Sequence, residues 1–159
     1  MRAQVWSELE VSLSADDIWA VYSSPDLPRL IVELIPGFFQ SIDVLQGDGT
    51  QGTILGITLL PTNSGPLVWK EQFTTIDHTN RIKVVRQIEG GFLDIGFTLC
   101  ENIFTITSRG PNACTIRTTI SFDVNEGFES NTSFITANWT MARAIVDYVV
   151  KNKANQATA

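Results

Sequence analysis

In QGDGTQGT, residues 46–53, Gly47, Gly49 and Gly52 fall at the spacing G-x-G-x-x-G. In a nucleotide-binding fold that pattern follows a strand and opens a helix, so that the helix N-terminus meets a phosphate. Here the glycines run into ILGITLL, residues 54–60. That is a strand signal, so the loop joins two strands and no helix follows to hold a phosphate. Two Cys and one His are too few for a structural zinc site. A bridge between Cys100 and Cys114 is not expected either. SRGPNA, residues 108–113, reads as a hairpin turn that pairs residue 108 with 114 and leaves Cys100 opposite a residue near 122. His78 lies in the turn DHTN and is read as solvated. Glu71, in WKEQF, is different: it alternates in step with Leu67, Trp69 and Phe73 and so belongs to an apolar strand face. A carboxylate there is costly unless partnered, and burial raises its pKa. Lys83, in NRIKVV, alternates with Arg81, Val85 and Gln87, while Ile82, Val84 and Ile88 take the other face. Alternation alone puts Lys83 outside.

The elements that must position these groups are legible from hydrophobic period and turn residues. Residues 4–13 alternate as a half-buried strand. SADDIWAVYSS follows, with Ser14 as N-cap and Asp17 three residues on. Pro25 and Pro28 break that helix, and LPRLIVELIPG forms a second short one ending at Pro36-Gly37. Strands are then predicted at about 38–46, 52–61, 66–76, 80–89, 92–107 and 112–124, each bounded by turn residues. From about 130 to 153, Phe134, Ala137, Met141, Ile145 and Val149 recur at helical spacing. The order strand, two short helices, six strands and one long helix specifies an α+β fold: a curved antiparallel sheet with segregated helices.

The chain has 159 residues, 43% of them hydrophobic, enough for one domain with a real core. Its formal net charge is −6 and its Lys and Arg do not cluster, which argues against a nucleic-acid surface. No apolar run approaches the roughly 20 residues of a membrane span. MRAQVWSELEV lacks the apolar core of a signal peptide, so a cytoplasmic protein is expected. The sequons at Asn131 and Asn138 are accordingly expected to go unused.

Several of these features coincide in one known family. The glycine loop between the second and third strands, SADDIWAVYSSPDLPRL, WKEQF, IEGGFLDIGFT and the closing helix resemble the Bet v 1 superfamily of pathogenesis-related class-ten proteins. Within it they resemble norcoclaurine synthases and their relatives, norbelladine synthase included. The resemblance covers essentially the whole chain, 1–159, with a flexible tail from about 153. It implies a seven-stranded sheet gripping the long helix around a large cavity. It further implies a cofactor-independent condensation of an aromatic amine with an aldehyde in plant alkaloid biosynthesis. In the Pictet–Spengler form, amine and aldehyde give an iminium, which the aromatic ring attacks. An acid must expel water and a base must take the ring proton. Carried over by position, the family's lysine falls on Lys83 and its glutamate on Glu71. The tyrosine position falls on Trp69, which has no phenolic proton, and the aspartate position on Asn102, which cannot ionise. Trp69, Phe73, Asn102, Phe122, Phe134, Ala137 and Met141 are expected to line the substrate cavity. No cofactor and no metal is implied, and the expected state is a monomer or weak homodimer. The alternative reading is a non-catalytic protein that binds or stores a hydrophobic plant metabolite.

Strand register decides whether Lys83 can join Glu71, because a slip of one residue turns every side chain to the opposite face. A two-residue loop at His78-Thr79 would leave Lys83 outside. The family match demands the other register. A three-residue loop, with Asn80 left-handed, would set Phe73 opposite Lys83 and turn the lysine inward. The inward register is the expectation taken forward.

Overall fold

The strand signals become a single seven-stranded antiparallel sheet in a computed structural model that describes residues 1–158. The strands are β1 (Arg2–Val11), β2 (Phe39–Gln46), β3 (Ile54–Leu59), β4 (Val68–Asp77), β5 (Ile82–Gly90), β6 (Phe97–Ser108) and β7 (Cys114–Val124). Their spatial order is β1-β7-β6-β5-β4-β3-β2, so β1 closes one edge by pairing with the last strand. Two short helices, α1 (Ala15–Tyr22) and α2 (Leu27–Leu34), follow β1, and α3 (Thr140–Thr158) closes the chain.

Local chemistry sets the boundaries. The Ser14 hydroxyl accepts from the Asp17 N–H at 3.1 Å and caps α1. Pro28 stands in the first turn of α2, where its missing N–H costs nothing. In β3 burial alternates strictly, with Leu55, Ile57 and Leu59 inside. The main core joins those residues to Ile18, Tyr22 and Ile31 from the short helices, and to Ala142, Ile145 and Val149 from α3. A satellite core of Phe97, Phe122, Val124 and Ile135 lies apart from it.

The glycine stretch is a β2–β3 connection, as its position between strands demands. Gly49 has φ 94°, and a Cβ there would overlap the Pro25 carbonyl. The loop's glycine therefore serves close packing against the α1–α2 corner. Ser108 pairs with Cys114 and Cys100 with Phe122, and both thiols are free and buried.

Three boundaries differ from the expected ones. The predicted strand 92–107 opens instead with a 3₁₀ turn, Gly91–Ile95, before β6 begins at Phe97. Positive φ at Gly90 and Gly91 breaks the extended run there. The long helix starts at Thr140 rather than near 130: Glu129–Phe134 is 3₁₀ and residues 135–139 carry no helix. Asn138 Oδ1 accepts from the Thr140 N–H at 3.0 Å, and the Trp139 indole donates to the Glu8 carbonyl at 2.8 Å. The first bond is a local turn before the helix, and the second anchors the segment to edge strand β1 in place of a helical turn. At its far end α3 continues to Thr158, past the expected stop near 153.

Candidate active site

Glu71, on β4, and Lys83, on β5, face one cavity, and the β4–β5 hairpin shows how. Residues 78–81 join the strands, with Asp77 paired to Ile82 and Ile76 to Lys83. The expected three-residue loop is replaced by a four-residue one, and the left-handed residue is Arg81, φ 53°, not Asn80. Asp77 holds this loop by accepting from the Thr79 and Asn80 N–H groups, both at 3.0 Å. Continued without interruption, that register would set Glu71 opposite Ile88 and turn Lys83 away from Glu71. A bulge intervenes: Thr75 pairs with Val84 but Phe73 pairs with Val85, leaving Thr74 as the extra residue. Past it Glu71 pairs with Gln87. Lys83 thus points inward as expected, but opposite Ile76 rather than Phe73.

The cavity measures about 460 Å³ and is lined mainly by apolar side chains from α2, the sheet and the start of α3. This is the size and character of a small-molecule site. Trp69, Glu71, Phe73, Lys83, Asn102, Phe134 and Met141 all line it. Phe122 does not: it meets Phe97 edge-on, centroids 5.7 Å apart, within the satellite core. Ala137 does not either. Its segment precedes the helix, and the flanking Thr136 and Asn138 reach the cavity instead. Gln87 and Cys100 also line it. Gln87 shares Lys83's alternation, so the signal that put Lys83 outside concealed Gln87 as well.

The two ionisable groups are each tied to a partner of their own. The Trp69 indole N–H donates to Glu71 Oε2 at 3.0 Å. The Lys83 ammonium donates to the Tyr22 carbonyl at 3.0 Å and stands 3.9 Å from the centroid of the Phe73 ring, a cation–π contact. The Tyr22 carbonyl is a main-chain atom at the end of α1, and no side-chain pattern could have announced it.

Burial pushes the Glu71 carboxyl above its usual value, opposed by the Trp69 hydrogen bond and by the Lys83 charge. Lys83 is 1% exposed, and burial lowers its pKa to about 8 against the pull of Glu71. Burial also raises the Cys100 thiol to about 12, which leaves it protonated and a poor nucleophile. The site therefore holds a carboxylate able to accept a proton and an ammonium able to give one, in a largely apolar space. Among the described residues, no three His, Cys, Asp or Glu side chains converge as a metal site. No described helix is long and apolar enough to cross a membrane. His78 is exposed, as read, but its Nδ1 accepts from the Trp19 indole at 3.1 Å.

A curved antiparallel sheet closed over a long C-terminal helix, with a cavity between them, defines a helix-grip class of fold. The chain belongs to the pathogenesis-related protein Bet v 1 family, which matches residues 1–152. It is 39% identical over 157 residues to S-norcoclaurine synthase 2 of Papaver somniferum, covering 96% of this chain and 68% of that one. It is 36% identical to norbelladine synthase of Narcissus pseudonarcissus, covering 98% and 96% respectively. The crystal structure of Thalictrum flavum norcoclaurine synthase in complex with dopamine and hydroxybenzaldehyde superposes with a TM-score of 0.89 at 36% identity. That match covers 95% of this chain and 88% of the other.

Proposed function

We propose that this protein condenses an arylethylamine with an aldehyde, without a cofactor, in plant alkaloid biosynthesis. The observation that carries this reading is the placement of Glu71 and Lys83 in one cavity, each held by its own partner. The similarity to norcoclaurine and norbelladine synthases supports it. The amine nitrogen adds to the aldehyde carbon. The Lys83 ammonium gives a proton to the departing hydroxyl, water leaves, and an iminium remains. In the ring-closing form the aromatic carbon attacks that iminium carbon, and Glu71 takes the ring proton as aromaticity returns. Phe73, Phe134 and Met141 provide apolar walls for the aryl groups. Trp69 and Asn102 take the positions of the family's tyrosine and aspartate, and this exchange distinguishes the substrate preference.

The test is incubation of the purified protein with dopamine or tyramine and an aromatic aldehyde, with product followed by mass spectrometry. The expected result is ring-closed product lost in Glu71→Gln and Lys83→Met, or imine lost in Lys83→Met. Binding of either substrate with no product would favour the second reading, a carrier or storage protein for a hydrophobic plant metabolite. The exchange of two polar side chains at Trp69 and Asn102 is the observation that favours that alternative. The proposal includes a cytosolic protein acting as one domain, in monomeric or weakly dimeric form. Cell fractionation and sedimentation of the native protein test this.

A further inference from the structure

We propose that Trp69 is a positioning residue for Glu71: its indole N–H holds Oε2 and leaves Oε1 as the oxygen that meets the substrate. This rests on the reading of Glu71 as the proton acceptor. Trp69 and Glu71 are two residues apart on β4, so the pleat puts both side chains on the inner face. The Nε1–Oε2 distance is 3.0 Å, and this is the only hydrogen bond to the Glu71 carboxylate among the described residues. The indole sits on a fixed platform, because Trp69 pairs with Ile57 on β3 and with Gly90 on β5.

The donor's chemistry limits what it can do. An indole N–H donates and neither accepts nor ionises in the working range. Trp69 thus has no part in moving protons. A phenol at the same position would offer both a donor and an acceptor. What Trp69 supplies is orientation, together with stabilisation of the charged carboxylate against the burial that disfavours it. With Oε2 occupied by the indole, the carboxylate cannot rotate freely about its terminal bond, and Oε1 is the oxygen without a hydrogen-bond partner among the described residues.

The titratable groups facing Glu71 across this cavity are Lys83 from β5 and Cys100 from β6. Lys83 titrates at about 8 and Cys100 at about 12. The acid limb of a pH–rate profile therefore belongs to Glu71.

The experiment has two arms. In the first, the four tryptophans give four indole signals in a nitrogen–proton correlation spectrum of labelled protein. Trp69→Phe identifies one by its disappearance. That signal should move with pH in the wild-type protein and stop moving in Glu71→Gln. This arm requires no turnover, so absence of product counts against the enzyme reading alone. In the second arm, Trp69→Phe keeps an aromatic wall and removes the N–H. Its kcat should fall roughly ten- to hundredfold, the scale of a misplaced catalytic group, with KM changed far less. Its acid limb should shift to higher pH, since the carboxylate has lost its donor. Trp69→Tyr, which restores a donor, should move the limb back. An indole signal indifferent to Glu71→Gln, or an acid limb unmoved in Trp69→Phe, overturns the proposal.

Discussion

The Lys83 ammonium donates to the Tyr22 main-chain carbonyl at 3.0 Å, tying the middle of the sheet to the C-terminal end of α1. The last carbonyls of a helix lack intrahelical partners and carry partial negative charge, so a buried cation finds there a partner that cannot be protonated. This allows Lys83 to stay in an apolar cavity without a carboxylate in contact. Replacement by Met removes the ammonium and its desolvation cost, but leaves the Tyr22 carbonyl unpaired. The two effects have opposite sign. Lys83→Met should therefore keep a near-native melting temperature while turnover falls by about 10² to 10⁴, the value of a positioned acid. Parallel calorimetry and rate measurements check this.

The same burial makes stability depend on pH. Lys83 titrates at about 8 when folded, against an ordinary 10.5. Between those values the unfolded chain binds more protons than the folded one, so stability rises with pH across that window. A gap of this size is worth about 3 kcal/mol. Denaturant unfolding of wild type should gain up to that amount between pH 8 and 10.5, relative to Lys83→Met.

Glu71 acts in the opposite sense at lower pH. Its folded value is raised, so its contribution is present below the ordinary 4.5 and is lost as pH rises through the folded value. Glu71→Gln should flatten that decline and, near neutrality, be at least as stable as wild type. Unfolding curves collected from pH 4 to 7 would show it.

Asn102 and Trp69 together test what separates this cavity from those of its relatives. Both line it, Asn102 from β6 opposite Val85. Asn102→Asp combined with Trp69→Tyr should raise the yield of ring-closed product from dopamine relative to tyramine. Product ratios under equal substrate concentrations measure the change. An unaltered ratio would remove these two positions from the account of specificity.

Gly49 is expected to be sensitive for structural reasons. It combines φ 94° with direct packing against Pro25. Gly49→Ala should lower stability by about 1–3 kcal/mol, from backbone strain and the clash, and leave phosphate or nucleotide binding unobserved in either form. Thermal melting and isothermal titration with ATP check the two halves.

Much of this molecule was determined by local pattern. Alternation put Glu71, Trp69 and Phe73 on one face, turn chemistry put Cys100 opposite Phe122, and Ser14 capped α1 where its side chain allowed. These are consequences of period two, of hairpin counting and of a single hydroxyl, each contained within a few residues. Tertiary structure decided the rest. Helical spacing continued through Ala137, but bonds from Trp139 and Ser7 to opposite strand and segment carbonyls, more than a hundred residues apart in sequence, held that segment out of the helix. Phe122 kept its inward face yet fell into the satellite core, because a face does not specify which core lies beneath it. Alternation assigned Lys83 to the outside. One unpaired residue, Thr74, reversed the relation between the two strands and brought the lysine to the cavity. A bulge depends on how two strands and their neighbours close together, not on the residues of either strand alone, and so Lys83 was placed by the sheet as a whole.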